Sequence, residues 1–451
     1  MSVGVRQPVS RWSRRVWRAG LILSGFIILI AVWRLALSRL ITAELAGIRE
    51  NSYPVTLAEL NRWYPRVPPG ENRAIVLGKA FDRLSRVARD RPAVPPLQNN
   101  SPTDPQEQTV EDYLGGNGEA LALLHLASGI PRSRFPINLG TLSIMPYPHL
   151  RELLNSARLL ETEAANQTEC ARPQLAIVSV QSLFALSQSL VKEPLVRSHL
   201  ARIDCQGIAV GSLQDLLGKT GLTDAQLEGF GSALAKADDQ RGLARAFIGQ
   251  RCIGIRGFDM LRETMDLTAL PVARSLPLDQ RLLVNLNALF CSPAYLYDLC
   301  GFLRWDELNY LRLMDRYIQT AQMAFPERIN AAHALRHSLE RQSELHALSR
   351  AWLRGMNGSR IILKDATVTA KLRAARVAIA IERFSLERGQ LPLTLAELDP
   401  FGMRAIPDDP FNGRPLRYKR LANGYAVYSV GEDARDDDGD EKTDVTFIVE
   451  R

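Results

Sequence analysis

The densest group of side chains able to do chemistry lies near the C-terminus. From Glu432 to Asp444, eight of thirteen residues are acids. Carboxylates this close repel one another unless they are screened or bridged. Ca²⁺ suits them, because it accepts roughly six to eight oxygens in flexible geometry. Asp433, Asp436, Asp438, Asp440 and Asp444 are the candidate ligands. An EF-hand is excluded: with Gly439 at the loop's obligatory glycine, the first and last ligand positions become Ala434 and Val445. The competing reading is a solvated acidic loop with no bound ion.

Elsewhere the chemistry is sparse. His333 and His337 lie one helical turn apart and form a possible metal pair, but Ala334 stands where a zinc protease carries its Glu. His125, His149, His199 and His346 are isolated in sequence. Gly218-Lys219-Thr220 has the ending of a phosphate loop, but Leu213 occupies the position of the required first Gly and no strand precedes it. A helix end followed by the Thr223 cap explains it. There is no Gly-x-Ser-x-Gly elbow and no Cys–His signature. An enzyme is not excluded, since catalytic groups need only meet in space. Five cysteines, Cys170, Cys205, Cys252, Cys291 and Cys300, read either as buried hydrophobes or as disulfide formers. Cys291 and Cys300 would pair if the chain turns at Pro293.

The acidic loop has to be held by the elements around it. Ala370, Ala374, Val377, Ile381 and Phe384 form an apolar stripe of helical period, and Gly389 is a natural terminator. Pro392-Leu393-Thr394-Leu395-Ala396-Glu397 then reads as a capped turn. Two strands, 416–421 and 425–430, flank Asn423-Gly424, a strong hairpin signal. After the acidic loop, Val445 to Val449 supplies a last strand.

The order of features in this region is distinctive. A helix leads to Gly389-x-x-Pro392, a short helix, Asp409-Pro410-Phe411, Pro415-x-x-Tyr418, Tyr428-Ser429-Val430-Gly431-x-Asp433 and the acidic loop. Residues 366–451 thereby resemble the C-terminal part of type II secretion major pseudopilins. The resemblance implies Ca²⁺ in the matching loop, with Asp433 and Asp444 at the two most characteristic acidic positions. Leu391, where that family has an aromatic residue, the extra Asn412 and the richer acid content depart from its pattern. So does the long stretch separating the module from the N-terminal apolar run. The whole chain more closely resembles a group of uncharacterised membrane-anchored bacterial proteins, of planctomycetes and relatives, that end in this module.

Between the two ends the pattern is helical. Leu150, Leu153, Leu154 and Ala157 repeat at the helical period, as do Ile177, Val180, Leu183 and Phe184, and Leu308, Leu311, Met314 and Ile318. Breaks fall at Pro173, Pro194, Gly218, Gly221, Pro271, Pro277, Pro293 and Pro326. A helical bundle or irregular α-solenoid follows. Asp90 to Gln108, with five prolines, reads as a surface loop. Helix starts resembling the Thr394 one occur at Thr56 with Glu59 and, in weaker form, at Thr223 with Gln226.

At the N-terminus, Ala19 to Trp33 carries no charge. Fifteen helical residues rise only ~22 Å against a hydrocarbon core of ~30 Å. Leu35, Ala36 and Leu37 extend the apolar face, and Trp17 and Trp33 stand at the interface positions. Five Arg precede the run, and no acid appears before Glu44, so the N-terminus is expected in the cytoplasm. A cleaved signal peptide and a buried helix are the alternatives. Gly25-Phe26 is not an ordinary prepilin site, because Ile30 replaces the required acid.

Composition completes the frame. The chain has 451 residues and a net charge of +7. Residues 1–43 hold seven Arg and no acid; the remaining 408 hold 49 basic and 49 acidic side chains. The excess charge therefore belongs to the apolar run's flanks and speaks for topology, not for a nucleic-acid partner. The expected fold is mainly α: a basic tail (1–18), a transmembrane anchor (19–40), a helical segment with its Pro-rich loop (41–115), a helical domain (116–365) and a small α+β module with an antiparallel sheet (366–451). The expected function is an anchored extracytoplasmic scaffold or interaction protein at the bacterial inner membrane, with envelope proteins as partners. An anchored enzyme and a peptide- or glycan-binding module are the alternatives. Nothing in the sequence fixes an oligomeric state.

Overall fold

The computed structural model describes residues 11–85, 110–141, 147–265, 293–341, 346–401, 403 and 405–451. The Pro-rich stretch 90–108, the breaks at Pro271 and Pro277, and Cys291 lie outside them. The described helices, in chain order, are α1 (Arg11–Glu50), α2 (Leu57–Trp63), α3 (Arg73–Arg83), α4 (Val110–Gly115), α5 (Gly118–Ser128), α6 (Pro148–Glu169), α7 (Pro173–Gln188), α8 (Val196–Lys219), α9 (Asp224–Ala237), α10 (Gly242–Met265), α11 (Pro293–Leu299), α12 (Phe302–Gln322), α13 (Glu327–Glu340), α14 (Ala347–Met356) and α15 (Gly358–Arg388). Three strands follow, β1 (Arg417–Leu421), β2 (Gly424–Ser429) and β3 (Val445–Glu450). The protein is mainly α with a small C-terminal antiparallel sheet.

The chain forms two compact units. The smaller comprises residues 1–56, 253–313 and 341–356. Its spine is α1, a single unbroken helix. The apolar stretch of α1 is long enough to cross a membrane, and only 6 % of it is buried within the protein. Beyond Trp33 the same helix turns one face inward: Leu37 and Ile41 join Val55, Ile255, Leu308 and Leu311 in one core.

The larger unit comprises residues 57–252, 314–340 and 357–451. Here α6, α7 and α8 pack on one another, and α15 lies against α8, α9, α13, β2 and β3. One continuous core runs from Leu77 through Leu183 and Leu213 to Ile381, Val427 and Phe447. The expected boundary at 365/366 falls inside α15. That helix is buried on nearly every side, not along one stripe, because Ala375, Ala378, Ile379 and Ala380 are covered as well as Ala374, Val377 and Ile381. The C-terminal module therefore shares its core with the helices before it.

The sheet order is β1-β2-β3, both pairs antiparallel. The tight turn between β1 and β2 is Ala422-Asn423, one residue earlier than the Asn-Gly signal suggests, and Gly424 already pairs with Leu421. A Cβ on Gly424 would lie 1.8 Å from the Val449 carbonyl oxygen, so glycine is needed there to let β3 approach. Gly389 ends α15 in the left-handed conformation (φ 68°), as expected. Thr223 and Gln226 form a complete capping box. Thr394 instead opens a 3₁₀ helix (Leu395–Phe401), with Glu397 accepting the Thr394 N–H at 2.8 Å.

Candidate functional site

The acidic loop bridges β2 and β3. Asp433 accepts the Arg435 N–H (3.0 Å), Asp436 that of Asp438 (3.2 Å), and Asp440 that of Lys442 (3.1 Å). Each closes a tight side-chain turn. Asp436 also meets Arg417 Nε at 2.8 Å, and Asp438 meets Lys419 Nζ at 2.5 Å. Two of the five predicted ligands thus already have a cation from β1. Asp444 differs from the others: it is 5 % exposed. Its Oδ2 accepts the Gly439 N–H at 2.7 Å, while its buried Oδ1 has no hydrogen-bond partner. Burial pushes its carboxyl up, and the charges of Asp437 and Asp436 push the same way. Burial, with Asp436 and Asp438 nearby, also pushes the Tyr428 hydroxyl up to about 12. Among the described residues, no three His, Cys, Asp or Glu side chains converge so as to hold a metal ion in this arrangement.

Beneath the loop sits a residue that the motif contained without explanation. Asp409 is fully buried. Its Oδ1 accepts the Phe411 N–H (2.9 Å) and the Ser429 hydroxyl (2.8 Å), and its Oδ2 accepts the Val430 N–H (2.9 Å). The Asp409-Pro410-Phe411 turn is thereby pinned to the end of β2, where the acidic loop begins. Tyr418 donates to the Pro392 carbonyl at 3.0 Å and ties β1 to the turn after α15. Both bonds join motif residues that are distant in sequence.

The four isolated histidines all prove to face carboxylates. His125 Nε2 lies 2.9 Å from Glu163 Oε2, and its Nδ1 lies 2.9 Å from Ser182 Oγ. This has the connectivity of a Ser–His–Glu triad. Ser182, however, is in the middle of α7 and 2 % exposed. Amides inside a helix already bond carbonyls of the preceding turn, so no oxyanion donors are to hand. Ser179 also donates to Glu163 (2.8 Å). The group is a polar pin joining α5, α6 and α7. His149 Nε2 lies 3.0 Å from Glu193 Oε1, and Ser198 donates to the same oxygen at 2.5 Å. In the smaller unit, His346 Nδ1 is 3.6 Å from Asp306 Oδ1. Asp306 accepts the Leu348 N–H (3.0 Å) and the Ser349 hydroxyl (2.6 Å), capping α14.

The fourth pair is the most charged. His199 Nε2 lies 2.9 Å from Asp365 Oδ1, and Arg328 Nη1 lies 3.3 Å from Asp365 Oδ2. Burial alone would push the Asp365 carboxyl up. The His199 hydrogen bond and the Arg328 and Arg202 guanidiniums overcome that and hold it below the usual carboxylate range. Arg202 and Gln206 each donate to the Ala237 carbonyl at 2.9 Å, satisfying the end of α9. Arg202 Nε and Gln240 Oε1 remain buried without partners. Both residues line a narrow cleft with Asp238, Asp239, Asp365 and Thr369. A Cβ on Gly242 would come 2.4 Å from Arg202 Nη1, so the closeness of α10 to this cluster requires glycine.

The remaining candidates resolve simply. Gly218 and Lys219 end α8, and no phosphate loop forms. His333 and His337 lie on α13, and His337 meets Glu340 at 3.4 Å. Cys170, Cys205, Cys252 and Cys300 are not joined in disulfides. Burial pushes the Cys205 thiol up and the Cys252 thiol up to about 12, so neither is a ready nucleophile. Comparison with known proteins gives no matching family model, no similar curated protein and no similar solved structure.

Proposed function

We propose that the protein is a membrane-anchored extracytoplasmic scaffold or interaction protein of a bacterial envelope, carrying a pseudopilin-like C-terminal module stabilised by Ca²⁺. The observation that carries the anchor is the apolar stretch of α1, of which only 6 % is covered by the protein itself. A soluble protein would have to hide so large an apolar surface. The arginines before the stretch favour a cytoplasmic N-terminus and a periplasmic bulk at the inner membrane. The helical units then act as a scaffold, and envelope proteins are the expected partners.

The Ca²⁺ reading rests on Asp444. A buried carboxylate with one unpartnered oxygen, crowded by Asp436 and Asp437, fits a hard cation that takes oxygen ligands. Asp444 would hold the ion only once its acidic neighbours close around it, since no three of them converge in this arrangement and Asp436 and Asp438 are paired with Arg417 and Lys419. The ion would supply the charge that the loop lacks at its buried end.

The test uses the full chain in nanodiscs. Calorimetric titration with Ca²⁺ is expected to show binding and a raised unfolding temperature, both lost in Asp444→Asn. Absence of binding sinks the Ca²⁺ reading. Release of the protein from membranes by alkaline carbonate sinks the anchor.

A second reading, an anchored enzyme or a binding module for a small polar ligand, is favoured by the cleft at Arg202. A buried donor and a buried acceptor stand unpartnered there. Broad hydrolytic activity lost in Arg202→Met at unchanged stability would favour it over the scaffold.

A further inference from the structure

Where the apolar run of α1 ends, the smaller unit begins without a spacer. Trp33 packs edge-on against Trp305, with ring centres 6.3 Å apart. A Cβ on Gly301 would come 3.0 Å from Trp33 Cδ1 and 3.3 Å from Arg34 Cγ. The link between α11 and α12 is therefore pressed onto α1 at the last residues of the run.

The charge at that level is partly offset within the protein, one carboxylate lying between two guanidiniums. Arg34 donates to the carbonyl oxygens of Asp298 and, at 2.9 Å, Leu299, which end α11. Its second nitrogen lies 3.4 Å from the Asp298 carboxylate. Arg304 lies 3.2 Å from the other oxygen of Asp298 and donates to Ser38 at 3.2 Å. Arg34 thus has its partners beside the helix and has no need to reach out to water.

The apolar surface continues instead. Leu296 and Leu299, three residues apart on α11, are 42 % and 39 % exposed, and Trp33 and Leu35 are 42 % and 54 % exposed. A hydrocarbon core of ~30 Å needs about 20 helical residues, so from Ala19 it reaches about Ser38. The charge-free run stops at Trp33. The shortfall covers the stretch of α1 on which α11 is docked.

We propose that α11 is a second membrane contact, lying in the bilayer interface beside Trp33, with Leu296 and Leu299 immersed among the lipid chains and the Asp298 carboxylate offsetting one of the two charges of Arg34 and Arg304 at the same depth. This rests on α1 being the membrane span. Partly buried amphipathic elements with aromatic and arginine flanks partition to that zone. The occupant of this apolar face is the lipid itself, because the face is continuous with the span of α1.

The test places a solvatochromic amino acid singly at positions 29, 296 and 299 of the full chain in liposomes, with and without lipids carrying a quencher along the acyl chain. Position 29 reports the span. Blue-shifted emission quenched by lipid at 29, 296 and 299 is the expected result. Quenching at 29 with water-like emission at 296 and 299 overturns the interfacial helix and leaves the anchor standing. Blue-shifted emission at 296 and 299 that lipid does not quench assigns the face to another protein surface and also overturns it. Absence of quenching at 29 removes the anchor itself. A second variant, Leu296→Asp with Leu299→Asp, is expected to weaken quenching at a probe on Leu35, because the collar no longer sits in lipid. Unchanged quenching there counts against the proposal.

Discussion

Replacing Asp409 by Ala removes a buried carboxylate with three donors fixed on it: the Phe411 and Val430 amides at 2.9 Å and the Ser429 hydroxyl at 2.8 Å. A hydrogen bond to a charged group contributes about 1.5–3 kcal/mol, so three set a ceiling of about 9 kcal/mol. The carboxylate's own desolvation offsets part of that, and water entering the emptied position recovers more. A loss of about 3–5 kcal/mol is expected, of the size seen when one partner of a buried charged network is deleted. Asp409→Asn keeps the shape but turns an NH₂ toward one of the two amides; it should be destabilising by about 2–4 kcal/mol. The readout is hydrogen exchange of the full chain in nanodiscs, followed by peptide. Segments 409–415 and 427–432 should lose protection together, while α6 and α7 keep theirs. Both variants exchanging like the natural protein in these segments, with unfolding midpoints within about 0.5 kcal/mol of it, would refute the pinning argument.

Four further expectations follow from the geometry. Asp365 is held below its ordinary range, so it contributes stability above the unfolded carboxyl pKa of about 4. That stability is lost as pH falls through the lower folded value, and acid unfolding should start at higher pH in His199→Ala; identical acid midpoints would count against the network. Asp444 is pushed the other way: its ionisation opposes folding, so Asp444→Asn should raise stability near neutral pH without Ca²⁺ and remove any gain with it. Gly424→Ala drives a Cβ into the Val449 carbonyl and should cost about 2–4 kcal/mol, read as a lowered unfolding midpoint. Ser182 should resist a fluorophosphonate probe in the native protein, and labelling at that residue would reinstate the triad as an active site.

Local signals in the sequence identify elements well where periodicity and caps agree. The apolar run, the Gly389 terminator, the three strands and the helical middle all follow from spacing of two or 3.6 residues and from turn chemistry. The hairpin turn is displaced by one residue because Gly424 is required for contact with Val449, a tertiary demand that no local rule contains. The span of α15 illustrates the same limit. Its stripe of Ala374, Val377 and Ile381 is visible, but the burial of Ala375, Ala378 and Ile379 depends on a sheet on one side and helices on the other. The histidines were the least legible. His199 meets Asp365 across 166 positions and His149 meets Glu193 across 44. Such pairs leave no spacing to read; the one available hint is that each histidine lies within or at the start of an apolar helical pattern. The acidic loop is the reverse case: its composition was obvious, yet only the fold distinguishes Asp444, buried and half-unpartnered, from neighbours that merely close turns.

The unbroken course of α1 has a mechanical consequence. From Trp33 to Glu50 the helix continues for about 25 Å at 1.5 Å per residue, with the smaller unit's core built on Leu37 and Ile41. With its apolar stretch in a bilayer, the helix is a lever without a hinge. A tilt of about 20°, ordinary for a single span, would carry the far end of that stalk sideways by about 9 Å. Bilayers of different thickness set different tilts, so lipid composition alone would change how the smaller unit is presented above the surface.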